Sequence, residues 1–243
     1  MRSQCWPPSS DEPKDRADAA LEASLAFVSG IGHFHFHDTS PTSPLRQSSR
    51  SVENRVLHPD GSNLAAFLHR LRRAKDRSSW KLITALLKQI APFIKSLDPD
   101  FIDPDNPQAH LMLYWTDERD HRFDVHDLSD GTLRAIALLA ALAQPEQTLP
   151  KLIAIDEPEL GLHPAAIGII ASLVRSVSTR AQILVATQSP ALLDEFAPEE
   201  VAVIETRDGE STVRRLDAEA LAAWLEEYSL SQLYDKNLLG GRP

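Results

Sequence analysis

Leu152-Ile153-Ala154-Ile155-Asp156-Glu157 runs from four apolar residues directly into two adjacent acids. A short aliphatic run of this kind predicts a strand buried on both faces. Ligands of α/β sheets gather at the carboxyl ends of strands, so Asp156 and Glu157 emerge where a bound ligand's charged groups would lie. Asp156 is suited to holding magnesium through its water shell, and Glu157 to orienting and deprotonating a water. The competing reading is a strand whose terminal acids only face solvent or cap the next helix.

Beyond this strand the chain alternates. Pro164 to Val177 and Pro190 to Phe196 read as helices, and Ala181 to Thr187 and Val201 to Glu205 as further buried strands. Short Ile/Val/Leu runs separated by helices predict parallel βαβ units, hence an α/β protein whose mostly parallel sheet is flanked by helices. Upstream, Leu128-Ser129-Asp130-Gly131-Thr132 opens an apolar helix reaching about Ala143, and Ala109 to Thr116 reads as a strand. A helix with Ile83, Leu86, Leu87, Ile90, Phe93, Ile94 and Leu97 on its buried side is expected from Trp80 to Leu97, stopping near Pro99. Ser62 or Asn63 is expected to cap another, with Leu64, Phe67, Leu68 and Leu71 inward. Gly32 to Asp38 alternates Phe and His as a strand does, and Thr39 to Arg55, rich in Ser and Pro, reads as a mobile loop. These signals divide the chain into a disordered or irregular tail over 1–30, a strand, mobile loop and helical insertion over 31–126, and a carboxyl-terminal unit over 127–243.

Twenty-five Lys and Arg against 35 Asp and Glu give a net charge of −10, which weighs against a surface built chiefly to neutralise phosphates. The cluster Arg70, Arg72, Arg73, Lys75 and Arg77 reads as a solvated helix end. His33, His35 and His37 stand on one strand face about 7 Å apart, too far for all three to ligate one ion, and read as a polar face. One cysteine, Cys5, permits no intramolecular disulfide and suits a cytoplasmic setting. The longest apolar stretch, Ile136 to Ala143, is too short for a membrane helix.

The order of Leu128-Ser129-Asp130-Gly131-Thr132 before Leu152–Glu157 resembles the ABC-type ATPases, in particular the RecF/SMC-like predicted ATPases grouped as AAA-type ATPase domains. In that resemblance residues 128–132 match the signature Leu-Ser-Gly-Gly-Gln with two departures, and residues 152–157 match the Walker B strand. It implies a P-loop NTPase-like fold, ATP and Mg2+ as ligands, and ATP hydrolysis. Asp156 would serve the metal and Glu157 the water, while Ser129, Asp130, Gly131 and Thr132 would face a γ-phosphate at a helix start. Asp130 stands where the family carries Gly, so its charge must point away or be paired. Glu157-Pro158-Glu159-Leu160-Gly161-Leu162-His163-Pro164 is similar to the family's dimer-lining segment. His163 then either reaches a partner's site or packs the loop. Gln188 occupies the place of the switch His, and it can hydrogen-bond a phosphate or water without carrying a cation. The likeness spans 31–241, tail Trp224 to Gly241 included, and is strongest over 127–205.

No Gly-x-x-x-x-Gly-Lys-Ser/Thr turn occurs, and no Lys follows a Gly. The chain therefore resembles a member truncated before the P-loop strand, with ATP and Mg2+ conditional on a P-loop supplied from elsewhere. The resemblance implies a homodimer or a partner ATPase subunit in the presence of ATP, with nucleic acid an expectation of family analogy. Two alternatives stand beside it. One is a catalytically inactive interaction remnant, the other a nuclease using Asp156, Glu157 and Glu159.

Overall fold

The computed structural model describes residues 30–103, 105–106, 110–207 and 209–240. Expectations for residues 1–29 fall outside these. Strands β1 (Ile31–Phe34), β6 (Leu152–Asp156) and β7 (Gln182–Ala186) form a parallel sheet in the order β1-β6-β7. A second sheet runs β2 (Ser49–Arg50), β4 (His110–Asp117), β3 (Ile94–Phe101), with β5 (Arg122–Asp124) also paired to β4. All of its pairings are antiparallel. Helix α1 (Leu64–Arg73) packs on this second sheet, α2 (Ser78–Ile90) follows it, and α3 (Asp130–Leu142) touches α1, α2 and α4 (Pro164–Ser178).

Helix α3 is the centre of the core. From Thr132 to Leu142 every residue is buried, and all but Thr132 and Arg134 are apolar, as suits a helix enclosed on all sides. It belongs to one continuous core with Phe34 and Phe36, Ile153 and Ile155, and the inward stripe of α1. Register explains the parallel sheet's polarity: Phe34, Ile155 and Val185 are aligned across it and face the helices, while His33, Ala154 and Leu184 are aligned on its other face. The alternation expected for 32–38 is present, with Phe34 and Phe36 buried and His33, His35 and His37 exposed.

Several expectations are corrected. The helix expected to reach Leu97 ends at Ile90, because Pro92 cannot continue it, and Ile94 and Leu97 enter β3 instead. Pro99 sits within β3 because that strand is an edge among the described residues, where a missing N–H costs no ladder bond. Asn63 precedes α1 without capping it by its side chain. Its amide instead accepts from His58 N (2.8 Å) and donates to Glu53 O (2.8 Å) and Val56 O (2.7 Å). The strand expected at Val201 to Glu205 is β8 (Ala202–Arg207), which does not join the parallel sheet but pairs antiparallel with β9 (Glu210–Arg215). That hairpin, with α5 (Pro190–Leu193), α6 (Ala218–Leu225) and α7 (Leu230–Asp235), follows the main core, and Leu216, Leu230, Leu233 and Leu239 form a small core of their own.

The stretch Thr39 to Arg55 is pinned at several points. Ser43, Leu45, Arg46 and Ser49 are buried, and the Ser43 hydroxyl donates to Asp38 O (2.6 Å). None of the helices among the described residues is long and apolar enough to cross a membrane.

Candidate functional site

The carboxyl ends of β1, β6 and β7 lie side by side, and the chemistry-bearing residues gather there. Asp156, the last residue of β6, keeps its side chain half exposed. His37, just beyond β1, places Nε2 3.1 Å from the Asp156 carbonyl oxygen and 4.0 Å from its carboxylate. Alternation alone puts His37 on a polar strand face; its nearness to Asp156 follows from β1 being the neighbour of β6.

Glu157 turns the chain sharply. Its φ is +42°, in the left-handed region that L-residues other than Asn and Asp seldom enter, and its N–H donates to Ala186 O (2.8 Å). That bond fixes the residue beside the end of β7, and the strained backbone is the kind stored at functional sites. Replacement by glycine, which has no Cβ penalty there, is expected to raise stability by about 1 kcal/mol in urea unfolding, whereas Glu157→Gln leaves it unchanged. A destabilised Glu157→Gly would contradict the strain.

Beyond β7, Thr187 donates to Glu159 Oε1 (2.6 Å) and accepts from Ser189 N (2.9 Å). Ser189 caps α5. Gln188 is exposed between these two anchored residues, at the same strand ends as Asp156. Glu159, the third carboxylate a nuclease reading requires, is engaged by Thr187.

The opening of α3 meets this region through the loop after β6. Ser129 is the N-cap, its Oγ accepting from Thr132 N (3.3 Å) and lying 2.8 Å from Thr132 Oγ1. The pairing that Asp130 demands is supplied by Arg46, whose Nη2 is 2.8 Å from its carboxylate. Arg46 is buried and also donates to the carbonyls of Thr39 (2.9 Å), Val125 (2.6 Å) and Leu128 (3.1 Å). Gly131 has a second reason to be glycine besides admitting an anion. A Cβ there would stand 2.2 Å from the Gly161 carbonyl oxygen, and Gly161 itself has φ +74°. His163 caps α4, with Nδ1 accepting from Ala165 N (3.2 Å), and is exposed.

Arg134 was missed. It is buried one turn into α3 and donates to Phe36 O (2.8 Å), His37 O (2.9 Å) and Leu160 O. Burial disfavours its charged form, and Asp130 opposes that effect. A lone cation inside an otherwise apolar helix was the signal, since a buried charge must be paired or fully hydrogen-bonded. It ties the end of β1, the loop after β6 and the start of α3 together.

The donor set fits a magnesium ion held chiefly by nucleotide phosphates. Such an ion keeps several waters and takes one or two carboxylates, and Asp156 offers one at a half-exposed strand end.

Residues 1–194 match the model of a family described as AAA domain, putative AbiEii toxin, Type IV TA system. The match includes the first 30 residues and stops before β8. Among solved structures, an SMC head bound to the C-winged helix domain of ScpA is similar with TM-score 0.56 and 16% identity, over 80% of this chain and 57% of that one. A structure from work on ATP-driven dimerization and DNA-stimulated activation of SMC ATPases gives TM-score 0.49 and 18% identity, over 66% of this chain and 94% of that one. An SMC head with an extended coiled coil from Pyrococcus furiosus, bound to the C-terminal domain of ScpA, gives 0.49 and 20%, over 62% and 37%. No protein of curated function matches. With most of its length under the family model and its fold that of an SMC-type ATPase head, this chain belongs to the AAA-domain ATPase family.

Proposed function

We propose that the chain contributes the signature, Walker B and switch portions of an ATP-binding and ATP-hydrolysing domain, working as ATP-sandwiched dimers with a P-loop not contained in its 243 residues. The observation that carries this reading is Glu157, held in a strained backbone by Ala186 O between Asp156 and the end of β7. Bound magnesium would neutralise charge on the nucleotide phosphates, with Asp156 as its protein carboxylate. Glu157 accepts the proton of the attacking water, and Gln188 hydrogen-bonds that water or a phosphate oxygen. Ser129, Asp130, Gly131 and Thr132 present the start of α3 to the other copy's γ-phosphate, with Arg46 cancelling the charge of Asp130. His163, exposed at the cap of α4, is free to reach the partner's site. The resemblance to RecF/SMC-like ATPases supports a role in DNA maintenance or defence, in the cytoplasm.

The isolated chain is expected to bind ATP weakly by calorimetry, because the amide nest and Lys that cradle the phosphates are absent from it. With a P-loop restored, Glu157→Gln should retain ATP and magnesium, hydrolyse at least about a hundredfold more slowly, and accumulate as a dimer in light scattering. Ser129→Arg should give monomers. A restored Glu157→Gln protein that stays monomeric with saturating ATP, or hydrolyses like its parent, would sink both assignments.

A further inference from the structure

Two helices of this chain present outward faces of opposite charge. From Arg70 to Lys95 the sequence holds eight Lys and Arg against one acid, Asp76, in a protein whose net charge is −10. The outward face of α2 consists of Lys81, Leu82, Ala85, Lys88 and Gln89, all exposed, with Leu82 at 40%. In α6 no residue is buried. Its outward face carries Glu219, Ala220 and Ala223, continued by Glu226 at the C-cap, with Trp224 on the flank 48% exposed. Among the described residues none of Lys81, Lys88, Glu219 and Glu226 makes an ion pair. Two of these charges also oppose their own helices. Lys81 follows a first turn without acids at the positive end of α2, and Glu226 caps the negative end of α6.

We infer that α2 of one copy of this chain packs antiparallel against α6 of another. Spacing selects the partner. Lys81 and Lys88 are seven residues apart, as are Glu219 and Glu226, so each pair spans two turns, about 10 Å, along one side of its helix. Antiparallel packing sets Lys81 opposite Glu226 and Lys88 opposite Glu219, with Ala85 and Ala223 between them, where small side chains let the axes approach. The same sense brings Leu82 and Trp224 together on the other flank and runs the two helix dipoles against each other; the parallel sense would set the lysines against Trp224 instead. A bare polyanion would use the lysines and leave Leu82 uncovered, whereas an acidic, apolar helix uses both. The contact needs no nucleotide and is separate from the ATP-sandwiched arrangement proposed above. One pair of short helices falls below the about 1,000 Å² expected of a stable interface, so the chain stays monomeric when dilute and associates when concentrated.

Sedimentation of the full chain without nucleotide tests this. It should show monomer at about 10 µM and an average mass that rises toward about 0.5 mM. Lys81→Glu combined with Lys88→Glu should weaken the association about tenfold or more, and Glu219→Lys combined with Glu226→Lys should do the same. The second change lowers the chain's net negative charge, so general repulsion between copies predicts the opposite result. All four side chains are exposed, so both variants keep the fold. An equimolar mixture of the two variants should associate again, because each offers the charge that the other lacks. A chain still monomeric at about 0.5 mM overturns the pairing, as does a mixture that associates no better than either variant alone. Association lost on reversing the lysines but kept on reversing the glutamates would give the α2 face to another acidic segment, and would overturn it equally.

Discussion

Arg134→Met is expected to cost about 3–5 kcal/mol in chemical unfolding, among the largest effects of any single substitution in this chain. The guanidinium donates to three carbonyls from two segments, those of Phe36 and His37 and that of Leu160, and no other group is at hand to satisfy all of them. Methionine fills comparable space but leaves these oxygens unpaired, the Phe36 carbonyl bond being fully buried. Arg134→Lys is expected to recover little, because a point ammonium cannot reproduce a planar fork reaching three acceptors. Near-native stability in Arg134→Lys would show that the charge, not the fork, is what matters.

Gly131→Ala is expected to destabilise by about 2–4 kcal/mol, lowering the melting temperature by about 5–15 °C. The new methyl would meet backbone, the Gly161 oxygen at 2.2 Å and its carbon at 3.2 Å, and backbone cannot step aside as a flexible side chain would. Gly209→Ala is the comparison. With φ +83° but nothing within 4 Å of its Cβ, it should lose only about 1 kcal/mol, from conformation alone. Equal losses at the two positions would remove the steric explanation.

The parallel sheet was legible because β6 and β7 are unbroken apolar runs, and α3 because its apolar text follows a Ser cap. The place of Asp156 and Glu157 at the end of a buried strand was legible as well. What stayed hidden was set by partners distant in sequence or by competing periodicities. Ile90, Ile94 and Leu97 continue a helical stripe, so the break at Pro92 was outweighed and β3 was lost inside a helix. Ser49–Arg50 and Arg122–Asp124 are too short to carry a period-two signal and exist only because β4 offers both of them the edge that β3 does not occupy. The hairpin β8–β9 was readable in principle from Asp208-Gly209 between two β-rich runs, a turn signal passed over in favour of another parallel strand. That Asp130 needed a partner was evident; that Arg46, 84 residues earlier, supplies it was not.

The junction of α3, the β1 end and the loop after β6 also bears on how tightly a second molecule can be held. Gly131 lies flush against Gly161, and Arg134 fastens Leu160, Phe36 and His37 to the same helix. Three surface segments that would otherwise lose freedom separately on association have already lost it during folding. The entropy of ordering them is charged to folding, so in the proposed dimer the second copy would meet a preassembled patch and more of the contact energy would survive as affinity. Loosening that junction should weaken association even where no residue touching the partner has changed.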